Sequence, residues 1–529
     1  MNNKSLFSRV ACITLALSLL SNPISAWGAQ DLRGNGGGDL RGGASALVSQ
    51  DVVGGAAIVF KRAARLRDIT NWAASGTVKP SRPLARRSNI SGAAQAASNR
   101  GRETRPARNN AGATTASSSH TAIAESAEAL IDSANASYDG GKYPEAIVGY
   151  KRALDLRTND PLIYNNLGAA YFNAGQFNEA IEAFKQAVRL NPDAEAYFNL
   201  GNAYSSRTRY RDAADAFTQA AKLKPEWAEA YDSLGAAFIA LGLETEAIEA
   251  YKSSARLKPN EAETFSVLAY LYGKQEKYAE AVEALKQAAR LKADDSEIFN
   301  NLGAAYYKTG DYKSALEAFL KAVSIKADDA EIEDNLGSAY FSLARYREAI
   351  EVFKRAATLD SQSPDVRYNM GNAYYMAAQY AEAADSYLEA IRLKSDYADA
   401  YVNLASAYSN LGQYERAVAA LQQANKLKPG NAIAYNNLGY AYESAGKAVE
   451  AIEAYREAVR LKPDYAKAHN NLGNVYNKLK RFSEAVEALK QATRLAPDYV
   501  NAHYNLGLAY YGLDQHTEAI DEFKQAIRL

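Results

Sequence analysis

The sequence predicts an all-α fold, a solenoid of about twelve stacked helical hairpins. Three observations predict it. A pattern with a period of about 34 residues recurs through most of the chain. Within each half of this pattern, apolar residues recur at helical spacing. A chain of 529 residues is also too long for one compact core, whereas a stacked array lengthens by adding repeats.

Residues 1–26 have the pattern of a secretory signal peptide. Lys4 and Arg9 precede an apolar run over residues 10–20, and Ala26 offers the small side chain that cleavage requires. The run is too short to cross a bilayer comfortably. The sequence therefore predicts an exported protein of the periplasm, the cell envelope or the extracellular space.

Residues 27–126 form a basic, low-complexity arm, with 14 basic against 6 acidic residues. Few large apolar residues are available for a core, so we predict that the arm is mostly disordered. Its charge makes it a candidate ligand for an anionic envelope polymer. Export and an acidic repeat array disfavour nucleic acid as a partner. The basic residues that would contact the polymer include Lys61, Arg62, Arg65, Arg67, Arg86 and Arg87.

Residues 432–465 illustrate one repeat of the array predicted over residues 127–529. Apolar or small residues of the first half, such as Leu438, follow a helical period, and Gly446 offers the positive φ that ends a helix. The second half carries an apolar stripe that Pro463 terminates. One unit is therefore a helical hairpin, and twelve can be counted, the last incomplete.

Small residues stand at one position of each helix, which predicts close contact between the two helix backbones. In the first helix they are Gly168, Gly201, Gly235, Ala269, Gly303, Gly337, Gly371, Ala405, Gly439, Gly473 and Gly507. In the second helix they are Ala146, Ala180, Ala213, Ala247, Ala281, Ala315, Ala349, Ala383, Ala417, Ala451, Ala485 and Ala519. The proline after the second helix is replaced in the middle repeats by Ala293, Ala327, Ser361 and Ser395.

This pattern resembles the tetratricopeptide repeat (TPR). The resemblance covers the whole array and is carried in one unit by Leu438, Gly439, Tyr442, Ala451, Tyr455, Ala458 and Pro463. It implies a right-handed superhelix with a concave groove that is lined by the first helices and binds proteins or extended peptides.

One asparagine recurs in the first helix, immediately before the Leu-Gly pair. On a helical wheel, Asn437 lies more than a third of a turn from Leu438 and Tyr442, which predicts that it faces outward. Asparagine is a mediocre helix former, so its repetition at one position of the helix requires an explanation. We call these nine residues the asparagine row: Asn166, Asn199, Asn301, Asn335, Asn369, Asn403, Asn437, Asn471 and Asn505.

Two interpretations of the asparagine row remain open. Its amides offer the same donors and acceptor as a peptide bond, so they could bind the backbone of an extended peptide. In this capacity to bind peptide backbone, the row resembles the asparagine ladder of the O-linked N-acetylglucosamine transferase superhelix. Alternatively, the asparagines hydrogen-bond between neighbouring repeats, or reflect duplication of one unit. Ser233 and Val267 interrupt the row.

The sequence predicts no catalytic residues, cofactor or metal site. The single cysteine, Cys12, lies in the predicted signal peptide, and no histidine has the spacing of a metal ligand or a catalytic triad. We therefore expect a non-catalytic scaffold for protein–protein or peptide binding. The alternatives are the substrate-recruiting part of a larger glycosyltransferase-like enzyme and an envelope-attachment protein that uses the basic arm. The uncapped final repeat is a candidate surface for self-association.

Overall fold

A computed structural model describes residues 126–529, which form twenty-four α-helices and no strand. The predicted all-α class is confirmed, while the predicted signal peptide and arm lie outside the described residues, apart from Ser126. The helices alternate between first and second helices of a hairpin. They are α1 Ala127–Asp139, α2 Tyr143–Leu156, α3 Pro161–Asn173, α4 Phe177–Leu190, α5 Ala194–Ser206, α6 Tyr210–Leu223, α7 Ala228–Ala240, α8 Glu244–Leu257, α9 Ala262–Lys274, α10 Tyr278–Leu291, α11 Ser296–Lys308, α12 Tyr312–Ile325, α13 Ala330–Ser342, α14 Tyr346–Leu359, α15 Pro364–Met376, α16 Tyr380–Leu393, α17 Ala398–Asn410, α18 Tyr414–Leu427, α19 Ala432–Ser444, α20 Ala448–Leu461, α21 Ala466–Lys478, α22 Phe482–Leu495, α23 Val500–Gly512 and α24 His516–Arg528.

The described residues fall into two compact units, 126–305 and 306–529, and the boundary lies within α11. Apart from α11, which crosses this boundary, each first helix packs against the second helix of its own hairpin and against the second helix of the preceding repeat in the same unit. Hydrophobic clusters therefore run across repeat boundaries. In the 306–529 unit, one cluster joins Tyr387, Leu404, Leu421 and Leu438, which come from successive helices.

The hairpin of α19 and α20 has the local structure that its sequence predicts. Gly446 adopts a φ of 76° after α19, which is the left-handed conformation that glycine tolerates. The apolar residues Ile452 and Tyr455 of α20 are buried. The helix ends at Leu461, two residues before Pro463.

The two helices of a hairpin touch where small residues were predicted. All twelve second-helix alanines are buried. In the first helix, a Cβ atom added to Gly439 would lie 2.6 Å from the ring of Tyr455, closer than any ordinary contact. The Gly-ring contact recurs between Gly168 and Phe184 and between Gly337 and Phe353. Glycine is thus required in these hairpins because the aromatic ring occupies the space of a side chain.

The turns that lack proline keep the backbone conformation of those that have it. Lys394 precedes Ser395 with φ −137° and ψ 91°, and Lys462 precedes Pro463 with φ −135° and ψ 88°. The missing prolines therefore do not change the path of the chain between repeats.

The last hairpin is less covered than the others. Ile520 and Ile527 of α24 are 51% and 85% exposed, whereas Ile452, which corresponds to Ile520 in α20, is 4% exposed. Self-association through this surface stays a prediction. Among the described helices, none has the length and apolar character needed to cross a membrane.

Candidate functional site

The asparagine row lies between consecutive first helices and does not face outward. Seven of its nine side chains are buried, from Asn166 to Asn437, while Asn471 and Asn505 are partly exposed. The predicted outward orientation is therefore wrong. The physical reason is that the neighbouring repeat covers this side of the helix, which a wheel of one helix does not represent.

Most of these amides bond to the preceding repeat. We call the residue immediately before each row position the acceptor position. Asn403 Nδ2 donates to the Tyr368 hydroxyl at 3.0 Å, and Asn471 Nδ2 donates to Asn436 Oδ1 at 3.0 Å. The same bond joins Asn199 to Asn165 at 3.1 Å, Asn369 to Asp334 at 3.0 Å and Asn505 to Asn470 at 3.0 Å. These bonds therefore link each of these repeats to the one before it, whereas Asn437 Nδ2 is buried without a hydrogen-bond partner.

A second contact supports some of these bonds from within the preceding hairpin. Asn403 Nδ2 also donates to Asn372 Oδ1 at 2.9 Å, and that oxygen accepts from the Tyr387 hydroxyl at 2.8 Å. In the first repeat, Asn135 Oδ1 accepts from Asn166 and Tyr150 in the same arrangement. The tyrosine of the second helix and the asparagine row thus share one acceptor in both hairpins.

The ends of the first helices are joined by another set of bonds with the same spacing. Asn410 Nδ2 donates to the Tyr375 hydroxyl at 2.8 Å, and Lys478 Nζ pairs with Glu443 at 2.6 Å. Both pairs are 35 residues apart in the chain. Much of the polar surface of the first helices therefore serves contacts between repeats.

Two acceptor positions hold carboxylates with raised pKa values. Burial raises the pKa of Asp334 to about 7, and the hydrogen bond from Asn369 lowers it in part. Burial raises the pKa of Asp232 to about 6. In the repeat after Asp232, the row position is Val267, which has no donor to offer.

A cleft of about 360 Å³ lies in the 306–529 unit, where the exposed Leu320 adjoins apolar side chains of the buried layer. Its apolar lining comes from α12, α13 and α14 and includes Leu320, Leu336, Tyr340 and Val352. Charged residues, among them Arg355, complete the lining. The sequence analysis missed this cleft.

A change of residue type at one repeat position was the signal for this cleft. Leu320 is 44% exposed, at the position where most other repeats carry a lysine, arginine or glutamine. Those residues lie against the tyrosine of the next first helix, as Lys151 does over the ring of Tyr171 and Gln422 does at the hydroxyl of Tyr442. Leu320 places no polar group against the corresponding ring, Tyr340, which contacts the Arg345 guanidinium, 4.6 Å from the ring centroid.

No group of three or more side chains suited to a metal ion occurs within residues 126–529. Two histidines serve the turns between repeats. The imidazoles of His469 and His503 contact the carbonyl oxygens of Pro463 and Pro497, each at 3.0 Å.

A family model described as "Cilia and flagella-associated protein 70 C-terminal domain", which is a TPR model, matches residues 116–365 and 329–529. Among curated proteins, the mitochondrial import receptor subunit TOM70 of Saccharomyces cerevisiae is 38% identical over 65 residues. The match covers 12% of this chain and 10% of that protein, so the chain spans about one tenth of the length of these curated relatives.

Solved structures show similarity over shorter parts of the chain. MamA is 30% identical, over 32% of this chain and 94% of that chain, with a TM-score of 0.31. YrrB, described as a TPR protein with an unusual peptide-binding site, is 27% identical, over 35% of this chain and 96% of that chain, with a TM-score of 0.32.

Proposed function

Because the chain belongs to the tetratricopeptide-repeat family that this model describes, we propose that it is a non-catalytic scaffold for proteins or extended peptide segments. The predicted TPR array itself is confirmed by the family model and the helical hairpins. The cleft at Leu320 is the observation that carries the binding proposal. It offers an exposed apolar surface to a partner side chain, flanked by groups that can bond the partner backbone.

The scaffold is proposed to act outside the cytoplasm. The pattern of charge, apolar run and small residues in residues 1–26 supports export. Attachment to an anionic envelope polymer through the basic arm stays a prediction. Binding of peptide backbone by the asparagine row also stays a prediction, and a peptide would have to compete there with the bonds between repeats.

The test is selection of 12-residue peptides from a displayed library on the immobilised full chain, followed by affinity measurement. We expect selected peptides to carry an apolar anchor and to lose about tenfold in affinity for Leu320→Lys, because burial of a leucine-sized contact contributes about 1.5–3 kcal/mol. The new lysine should lie over Tyr340, as Lys151 lies over Tyr171, without disturbing the fold.

Leu388→Lys is the matched control. Leu388 occupies the same repeat position and is 39% exposed, but it does not line the cleft. Its substitution should leave the affinity unchanged. Absence of any enriched peptide would contradict the scaffold proposal. Equal loss of affinity in both variants would contradict the role of the cleft.

A further inference from the structure

The interruption of the asparagine row in repeats three to five leaves buried polar groups without partners. In the other hairpins described above, an acceptor is matched by an asparagine of the next repeat or by a tyrosine of the second helix. Both kinds of donor are replaced around Asn202, and the asparagine donor is replaced around Asp232. The residues concerned lie on α5, α7, α8 and α9, within the 126–305 unit.

Asn202 corresponds to Asn372, but both of its donors are missing. Ser233 stands where Asn403 donates, and Phe217 stands where Tyr387 donates. Asn202 is 0% exposed, and neither its Oδ1 nor its Nδ2 has a hydrogen-bond partner. A fully buried amide without a partner costs free energy, so this gap is unfavourable in the free protein.

Asp232 corresponds to Asp334, but it lacks the donor that Asn369 provides there. The residue 35 positions later is Val267, which is buried and apolar. Asp232 Oδ1 is buried without a partner, while the side chain as a whole is partly exposed. The carboxylate is therefore open to an external donor on its exposed side.

The second helix supplies two buried hydroxyls beside Asp232. The hydroxyl of Tyr251 has no hydrogen-bond partner. Burial and the Asp232 carboxylate together raise the pKa of Tyr251, and a hydrogen bond from the Ser254 hydroxyl lowers the pKa of Asp232 in part, so the three groups lie together. Tyr251 lacks its usual acceptor because Ala236 stands where Asn372 meets Tyr387.

The charges around Asp232 favour a cation. Lys258 is the basic residue that acts on Asp232, and its Nζ is already paired with Glu229 at 2.5 Å. Glu229 and Glu261 add negative charge near the same carboxylate. An anion would be repelled here, and a cationic donor would add an ion pair to its hydrogen bond with the carboxylate, which a neutral donor cannot.

We propose that Asp232, backed by Tyr251 and Ser254, binds the ammonium or guanidinium group of a Lys or Arg side chain in a peptide partner. This inference rests on the proposed function, because the cation arrives on a bound peptide. The peptide approaches the carboxylate from its exposed side, opposite the buried Val267. The site adds to the proposed function a preference of the 126–305 unit for peptides that carry basic residues.

The experiment compares two fluorescent 12-residue peptides of Gly, Ser and Ala that differ at one central position, lysine in one and norleucine in the other. Norleucine keeps the aliphatic stem and removes the ammonium. Fluorescence anisotropy with the full chain at pH 7.5 should show about tenfold tighter binding of the lysine peptide, since hydrogen bonds to charged groups contribute about 1.5–3 kcal/mol. Asp232→Asn should abolish this preference.

Val267→Asn is a second variant, which introduces the missing internal donor. Because the new amide would bond Asp232 as Asn369 bonds Asp334, the lysine preference should fall to the level of Asp232→Asn while the helical circular dichroism is unchanged. Asp334→Asn is the matched control. It removes a carboxylate from the same repeat position, where the donor is already present, and should keep the full preference.

The outcomes separate this site from the scaffold function. Equal binding of both peptides to the natural chain would overturn the cation site and leave the scaffold in place, and would mean that water alone occupies the gap. A lysine preference that persists in Asp232→Asn would also overturn it. Failure of both peptides to bind would overturn the cation site, while the scaffold is tested separately by the library selection.

Discussion

The asparagine row shows that a single repeat predicts where a side chain lies on its own helix but not whether that side chain is buried in the array. The wheel separates Asn437 from the apolar centre of its own helix, which is right for an isolated hairpin. Burial, however, is decided by residues 31 and 35 positions earlier, such as Asn372 and Tyr368 for Asn403. The open alternative of bonds between repeats was derivable from the sequence, but choosing it required the packing of neighbouring helices.

Asn403→Ala should lower stability by about 1–3 kcal/mol, because it leaves Tyr368 and Asn372 buried without their shared donor. The measurement is the thermal unfolding midpoint by circular dichroism. Asn505→Ala is the control, since Asn505 is partly exposed and water can replace its bond to Asn470. If Asn403→Ala left the midpoint unchanged and abolished peptide binding, the row would serve the ligand and not the fold.

At the scale of the hairpin, the sequence predicts more than the position of small residues. Gly439 faces Tyr455, whereas Ala405 shares a buried cluster with Leu421, the residue at the position of Tyr455. An alanine therefore occurs opposite the leucine Leu421, although a Cβ added to Gly473 would lie 2.4 Å from Leu489, so a leucine alone does not guarantee the space. The two residues of each pair are sixteen positions apart in the sequence. Only the contact distance shows that they touch.

Gly439→Ala should destabilise the chain by about 1–3 kcal/mol, because the new methyl group overlaps the Tyr455 ring. Tyr455→Leu alone should also destabilise it, through lost contact area and the lost bond to Glu443. The double variant reproduces the Ala405 and Leu421 pair. Its loss of unfolding free energy should therefore be smaller than the sum of the losses in the two single variants, by at least about 0.5 kcal/mol. Strict additivity in the measured unfolding free energies would show that the two positions do not compete for space.

At the scale of the whole molecule, the repeat architecture was predictable because each hairpin contacts mainly its neighbours. Each repeat boundary could therefore be derived from local signals such as Gly446 and Pro463. The cleft at Leu320 could not be derived in this way, since a departure from the repeat pattern identifies a position but not the empty volume beside it.

The middle repeats should exchange amide hydrogens faster than the repeats that end at Pro429, Pro463 and Pro497. The backbone conformation is the same with and without proline, so the effect must act through the locally unfolded chain, which proline restricts by about 0.4–1 kcal/mol. Hydrogen exchange with mass spectrometry on the full chain measures it. Ser395→Pro should slow exchange in the two adjoining helices, and uniform protection along residues 306–529 would contradict the expectation.

The bonds between first helices also limit how freely the repeats can be rearranged. Asn403 needs a tyrosine at the acceptor position of the repeat before it, Asn369 is matched to an aspartate, and Asn471 to an asparagine. Two hairpins with identical cores are therefore not interchangeable modules. A repeat that is duplicated, deleted or transplanted between such arrays has to move together with the neighbour that completes its hydrogen bonds.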